Sequence, residues 1–315
     1  MGIIAAGWIV VCARNILQHT TLKTAWIWSV VAILMWATAW FADICENALS
    51  TAAADHTWYA CAVLALCPPM AVLGARRPGI RVWAWFILFP MLLALGWPLI
   101  ALRLQGSELR GLHLETPQVA AFALILVMSV GNYLGTRFTL SALLYGASIF
   151  AIVVSSWSGC PAWLTNRAAV RFWCTSLSVI AVCLAWTSSR PIAKDRFDRL
   201  WFDFFDTFGI VWGRRIQDRV NFIATKENWP SRLELDGFVW SDEFKPVNPG
   251  IDTETPGLQN LGPDPLSQDF NVTKTESRIE YTFRWLLRRF VDPSWIDERL
   301  GSNSQLQDTE LPADS

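Results

Sequence analysis

TAWIWSVVAILMWATAWFA, residues 24–42, runs nineteen positions without a charge. At 1.5 Å per residue a helix of that length covers about 28 Å, close to the hydrocarbon thickness of a bilayer. A helix also satisfies its own backbone hydrogen bonds, which lipid cannot do, so such a run is the form in which a chain crosses a membrane. Comparable runs occupy residues 2–17, 57–74, 82–102, 117–134, 138–157 and 168–187. The expected fold is therefore an all-α membrane bundle of seven transmembrane helices in residues 1–187, with a small C-terminal cytoplasmic appendage of amphipathic helices. The count is six if residues 2–17 lie along the interface, because Arg14 and Asn15 leave that run with about twelve clean residues, short for a span.

Composition agrees with this reading. Only 17% of the 315 residues are charged, against roughly 25% in ordinary soluble domains. The net charge of −1 hides two unlike halves: residues 1–187 hold ten Lys/Arg and five Asp/Glu, residues 188–315 hold 16 and 22. The chain holds nineteen tryptophans, and many flank the apolar runs, among them Trp26, Trp28, Trp40, Trp58, Trp83, Trp157, Trp163 and Trp186. Amphipathic indole rings favour the headgroup layer. The first eleven residues lack the basic region and cleavage site of a signal peptide, so they are expected to be retained. Cys12 follows two valines and Ala6 stands where a myristoylation motif wants Ser or Thr, so no lipid anchor is indicated.

Pro117 suits a first helical turn, whereas Pro68, Pro69, Pro90 and Pro98 fall inside runs and predict kinks or broken turns. Lys and Arg in short loops stay cytoplasmic. With seven spans, Arg14, Lys23, Arg76, Arg77, Arg81 and Arg137 share a side with Arg190, Lys194, Arg196 and Arg199, and four arginines (Arg103, Arg110, Arg167, Arg171) oppose those ten. The bias puts the N-terminus outside and the tail in the cytoplasm, in a cell inner membrane. All seven cysteines lie in the membrane half, and Cys45 and Cys160 share the outer side, where a disulfide between them is one arrangement among several.

Residues for intramembrane chemistry are scarce. Runs two to seven hold no ionisable group near mid-bilayer: Asp43, Asp55, Glu108 and Glu115 sit at or beyond run ends, and Arg171, about one turn inside the last, is expected to snorkel outward. This argues against a proton-coupled carrier. His19, His56 and His113 fall in loops, which does not suit axial haem ligation; His56 and His113 share the outer side and read as interface histidines rather than a metal surface. The polar residues Thr38, Ser129, Asn132, Ser141, Tyr145, Ser148, Thr175, Ser176 and Ser178 read as helix packing, with Asn132 bonded across an interface, ahead of a cavity lining. Gly131 with Gly135, and Ala142 with Gly146, are spaced for close helix approach. No P-loop, HExxH, GxSxG or paired CxxC pattern is present. No catalytic, cofactor-binding or metal residue is assigned, and no cofactor is expected.

In the tail, residues 195–224 carry Phe197, Leu200, Trp201, Phe204, Phe208, Val211, Trp212, Ile216, Val220 and Ile223 at spacings of three and four, one amphipathic helix within a juxtamembrane region 188–240. Asp195 with Arg199, Arg199 with Asp203 and Arg214 with Asp218 suit i,i+4 pairs on its other face. Gly209 and Gly213 each weaken it by about 1 kcal/mol relative to alanine, marking a kink or close packing. The apolar stripe suits either the inner leaflet or a protein surface, and its aspartates favour protein. Residues 228–240 hold a turn at Asp236-Gly237, 241–275 read as a flexible linker, 276–300 as short amphipathic helices with Asp292-Pro293 opening the second, and 301–315 as disordered. Arg284, Arg288 and Arg289 form a basic patch suited to headgroups or to a solvated face. The net acidic tail excludes nucleic-acid recognition. The function expected is a non-enzymatic multi-pass membrane component, in contact with the lipid bilayer, that anchors or couples a cytoplasmic or membrane protein partner through the 195–224 helix. A permease subunit powered by another protein is the alternative.

Overall fold

The computed structural model describes residues 2–44, 51–75, 80–104, 111–188, 195–240 and 265–301, and these are mostly helical. Cys45, most of the 241–275 stretch and residues 302–315 lie outside them. The chain divides into two compact units: Met1–Pro191 with Phe205–Val211, and Ile192–Phe204 with Trp212–Ser315.

The first unit contains α1 (Gly2–Leu17), α2 (Lys23–Ile44), α3 (Thr51–Ala65), α4 (Cys67–Leu73), α5 (Ile80–Leu104), α6 (Thr116–Gly131), α7 (Thr139–Val154) and α8 (Arg167–Thr187). Four stretches are long and apolar enough to cross a membrane: Lys23–Ile44, Ala52–Leu73, Trp85–Leu104 and Arg167–Thr187. Gly2–Asn15, Thr116–Gly131 and Thr139–Val154 are apolar but shorter, and sixteen residues reach only about 24 Å.

Helix α2 displays the side-chain sorting of a lipid-facing helix. Ala25, Ala32 and Ala39, seven apart, are buried, while Ile27, Leu34 and Phe41, also seven apart, are exposed. Small residues inside let neighbouring backbones approach, and large apolar ones outside are compatible with a hydrocarbon surrounding. Helices α1, α3 and α4 pack on α2, and α7 packs on α8, α3 and α6. Helix α7 comes close to α6 at Gly146, where an added β-carbon would meet Val130 Cγ2 at 3.0 Å, whereas one on Gly131 would meet nothing within 4 Å.

The prolines act unequally. Pro68 and Pro69 have no N–H to give the carbonyls of Leu64 and Ala65, and the helix breaks at Leu66 into α3 and α4. The Tyr145 hydroxyl supplies the missing donor to Ala65 O at 2.9 Å. Helix α5 instead runs unbroken through Pro90 and Pro98, with the Tyr59 hydroxyl donating to Leu95 O at 2.7 Å.

The second unit is built on the two outer parts of α9 (Arg196–Lys226), the hairpin β1 (Ser231–Glu234) and β2 (Gly237–Trp240), α10 (Pro265–Leu287) and α11 (Pro293–Leu300). The strands pair antiparallel, Ser231 opposite Trp240 and Glu234 opposite Gly237, so Leu235 and Asp236 form a two-residue turn. Gly237, at φ +113°, could not carry a side chain there: a β-carbon would lie 2.5 Å from Asp198 Oδ1, which accepts the Phe238 N–H at 2.7 Å. Phe197, Leu200, Trp201, Phe204, Trp212, Ile216 and Val220 of α9 are buried with Leu233, Ile279, Phe283, Leu287, Phe290 and Trp295. Phe290 takes Phe204 and Trp212 edge-on at centroid distances of 5.4 and 4.9 Å. This unit therefore has its own core, and the apolar stripe of α9 is covered within the chain. Asp203 pairs not with Arg199 but with Arg299 Nε at 2.7 Å, whose guanidinium lies 3.8 Å over Trp295. Pro293 opens α11, and Gly301, left-handed at φ +67°, closes it.

Candidate functional site

Polar side chains of the first unit gather at two places. One joins the C-terminal end of α2, the start of α3 and the start of α8. Arg171 does not snorkel. Its Nη1 lies 3.3 Å from Asp43 Oδ2 and its Nη2 2.8 Å from Asp55 Oδ1, with the Arg171 side chain only 15% exposed. Arg167 Nη1 pairs with the second oxygen of Asp55, whose side chain is 4% exposed. Snorkelling would take Arg171 away from both carboxylates, and parting a buried ion pair costs several kcal/mol.

Aromatic residues enclose this network. The Trp58 indole N–H donates to Asp43 Oδ2 at 2.9 Å, and the Arg171 guanidinium sits 5.6 Å from the Trp58 ring. Trp36 and Trp40 meet Trp58 edge-on at 5.5 Å each. Trp40 donates to Thr175 Oγ1 at 2.9 Å, and that hydroxyl donates to Arg171 O at 2.8 Å. Two aspartates and two arginines leave the cluster neutral, which suits a low-dielectric surrounding.

The histidines and Glu115 take separate places. A β-carbon on Gly111 would lie 3.8 Å from Asp55 Oδ2 and 4.0 Å from His113 Nε2, so His113 reaches the border of the network while its side chain is exposed. His56 follows Asp55 on α3 and is half-buried. Glu115 caps α6 in a reciprocal box with Gln118, whose side chain accepts the Glu115 N–H at 2.8 Å. Next to it Leu114 and Trp157 form an isolated parallel bridge, Leu114 N–H donating to Ser156 O at 2.8 Å. Among the described residues no three of His, Cys, Asp and Glu gather as a metal-binding set. Cys160 carries a free thiol.

The second place lies at the other end of α6. Asn132, its C-cap, is 1% exposed and binds the segment of α9 that belongs to this unit. There α9 breaks at Gly209, with φ +78° and ψ −179°. The break releases backbone groups, and Asn132 takes three of them. Its Nδ2 donates to Phe208 O at 3.1 Å, its carbonyl accepts Ile210 N–H at 2.8 Å, and its Oδ1 accepts Val211 N–H at 3.1 Å. Asp206, 1% exposed, accepts Arg137 N–H at 3.1 Å and lies 3.5 Å from Arg137 Nε.

Two further buried hydroxyls close on nearby groups. Ser129 donates to Leu126 O at 2.9 Å, and Ser148 bonds Tyr145 O at 2.7 Å and Ser178 Oγ at 2.6 Å. Such groups serve packing. The sequence reading found Asn132 but assigned no role to the Asp43–Arg171–Asp55–Arg167 network. A signal was available: Arg167 and Arg171, four apart at the start of the last apolar run, share one helix face and demand partners there.

What the arrangement can do is hold elements in register. The neutral ion network ties α2, α3 and α8, and the Asn132 joint ties α6 to the middle of α9. In the network each carboxylate oxygen is bonded to a guanidinium or an indole. Among known proteins the chain matches no family model, no curated protein and no solved structure.

Proposed function

We infer that the chain is a multi-pass protein of seven spans, its N-terminus outside and its C-terminal unit in the cytoplasm of a cell whose inner membrane it crosses. On this reading it is a non-enzymatic component that anchors or couples a partner protein at that face. The observation that supports it is the double use of α9: Phe205–Val211 cluster with the helical bundle, while both flanks of the same helix form the core of the C-terminal unit. On this reading a domain whose central helix also enters the bundle stays tethered to the membrane, which supports an anchoring role.

Since most of the apolar stripe of α9 is buried, on both flanks in the C-terminal unit and at Phe208 in the bundle, a partner would read other surfaces around that helix. The hairpin offers one, with Leu235 42% and Val239 51% exposed beside strand edges that only two strands share. The test is affinity purification of the full chain in mild detergent, compared with Val239→Ser. A specific copurifying protein that the substitution loses supports the reading. Recovery of nothing specific removes it. Solute flux through purified protein in liposomes, dependent on an added energising subunit, would favour the permease reading, against which the backbone-bonded hydroxyls of Ser129 and Ser148 speak.

A further inference from the structure

In the C-terminal unit residues of α9 and α10 line a groove of about 520 Å³, among them Arg219, Phe222, Lys226, Glu227, Arg278, Tyr281 and Trp285. Spacing explains the face. Arg215, Arg219, Phe222 and Lys226 follow one another at intervals of four, three and four on α9, and Arg278, Tyr281 and Trp285 at three and four on α10, with Arg288 three further on, just past its end. Each helix thus turns one basic and aromatic stripe outward while the opposite stripe fills the core.

The charge is lopsided. Glu227 spends its carboxylate on Arg278, 3.4 Å away, and on the Trp229 indole at 3.1 Å. Arg219 and Lys226 make no ion pair among the described residues. Arg219 lies 5.2 Å from the Phe222 ring, and Arg288 and Arg289 lie 5.8 Å each from Trp285. Phe222 is 59% and Tyr281 72% exposed, although both are large rings that gain by leaving water. In a tail that is net acidic, cations have been concentrated where apolar rings protrude.

We propose that this face docks on the anionic headgroup layer of the bilayer that the chain itself spans, Arg219, Lys226 and Arg278 taking lipid phosphates while Phe222 and Tyr281 enter the interface. Charge complementarity selects the occupant, since juxtamembrane cations are drawn to anionic lipid and amphipathic rings favour the boundary. Tethering favours the encounter, since α9 begins at Arg196, nine residues after α8 ends at Thr187. A docked face would fix the orientation of the unit and leave the hairpin for a protein partner. This inference rests on the membrane reading, and the experiment separates the two.

The full chain is reconstituted in nanodiscs of phosphatidylcholine alone or mixed with phosphatidylglycerol, and aromatic side chains are oxidised by hydroxyl-radical footprinting. Oxidation of Phe222 and Tyr281 is expected to fall several-fold in the anionic discs, to recover at high salt, and to recover in Arg219→Gln/Lys226→Gln/Arg278→Gln. The buried Phe283 reports that this variant is folded. Equal oxidation in both lipids overturns the proposal. So does protection that survives in the variant, or protection by inorganic phosphate alone in phosphatidylcholine discs, which would mean a small-anion pocket. Phe86 and Phe89 of α5, 72% and 60% exposed, are shielded in either disc if the helix crosses lipid; their oxidation there would sink the membrane reading instead.

Discussion

Asn132 fills the space that a side chain on residue 209 would need. A β-carbon on Gly209 would come within 2.6 Å of Asn132 Cγ, and the backbone there holds φ at +78°, a conformation that favours glycine. Asn132→Ala strips partners from Phe208 O and Val211 N–H in a buried place, each group worth about 1–3 kcal/mol when left unmet. Gly209→Ala adds a collision to backbone strain. Both variants are expected to lower the unfolding temperature of the detergent-solubilised chain, with the double variant falling short of the sum because one joint is lost twice. Additive losses would show that the two residues act independently.

The ion network should rank its own members. Asp55 meets two guanidiniums and is nearly inaccessible, whereas Asp43 is 22% exposed and shares one arginine with an indole. Removing one partner of a buried pair costs roughly 3–5 kcal/mol, so Asp55→Ala is expected to reduce folded yield and thermal stability most. Arg171→Met should follow, and Asp43→Asn should cost least. Equal effects, or an Asp43 variant worse than the Asp55 one, would contradict the assignment.

Asn221 brackets the hairpin from α9. Its side chain accepts Leu233 N–H at 2.8 Å and donates to Leu233 O at 2.9 Å. Asn221→Ala should destabilise the C-terminal unit by about 2 kcal/mol and speed amide exchange in β1 and β2. Asn221→Asp, which keeps only the accepting half, should fall between the alanine variant and the parent. Unchanged hairpin exchange in the alanine variant would rule out this role.

Asp198 makes the same unit sensitive to pH. Burial is the main cause that lifts its carboxyl above the ordinary range and Asp195 adds to it, while the Phe238 N–H pulls the other way. The folded state therefore holds this proton more tightly than the unfolded chain does. Its contribution is present below the ordinary aspartate range and is lost as pH rises through the raised value. Hydrogen exchange of residues 231–240, followed across mildly acidic pH, should show protection declining with pH. Asp198→Asn, which retains an acceptor for Phe238, should flatten that decline; a slope that persists in this variant would assign it to another group.

What the sequence revealed depended on how far the deciding contact lay along the chain. The uncharged run at 24–42 is a helix because its own composition says so, and the Pro68-Pro69 break is local chemistry. Asn132 was readable as a bonded residue because an amide at the end of an apolar run must find partners. Its partner was not, since Phe208 lies 76 positions away and nothing in periodicity names it. Arg171 illustrates the same limit. An arginine one turn inside a span suits snorkelling until Asp43 and Asp55, more than a hundred positions earlier, are known to meet it. The stripe of α9 likewise announced a burial without naming the cover, which α10 and α11 supply from beyond residue 265.

Sharing of α9 also governs how the protein can be taken apart. The seven residues Phe205–Val211 belong with the bundle, yet in chain order they lie inside the C-terminal unit. No single cleavage divides the polypeptide into two intact pieces: a cut after Pro191 deprives the bundle of its last segment and leaves Asn132 without its α9 partners, and a cut after Val211 parts Ile192–Phe204 from the rest of the C-terminal unit. In chain order the two units are interleaved rather than joined end to end, so a cut at any one point leaves at least one of them incomplete.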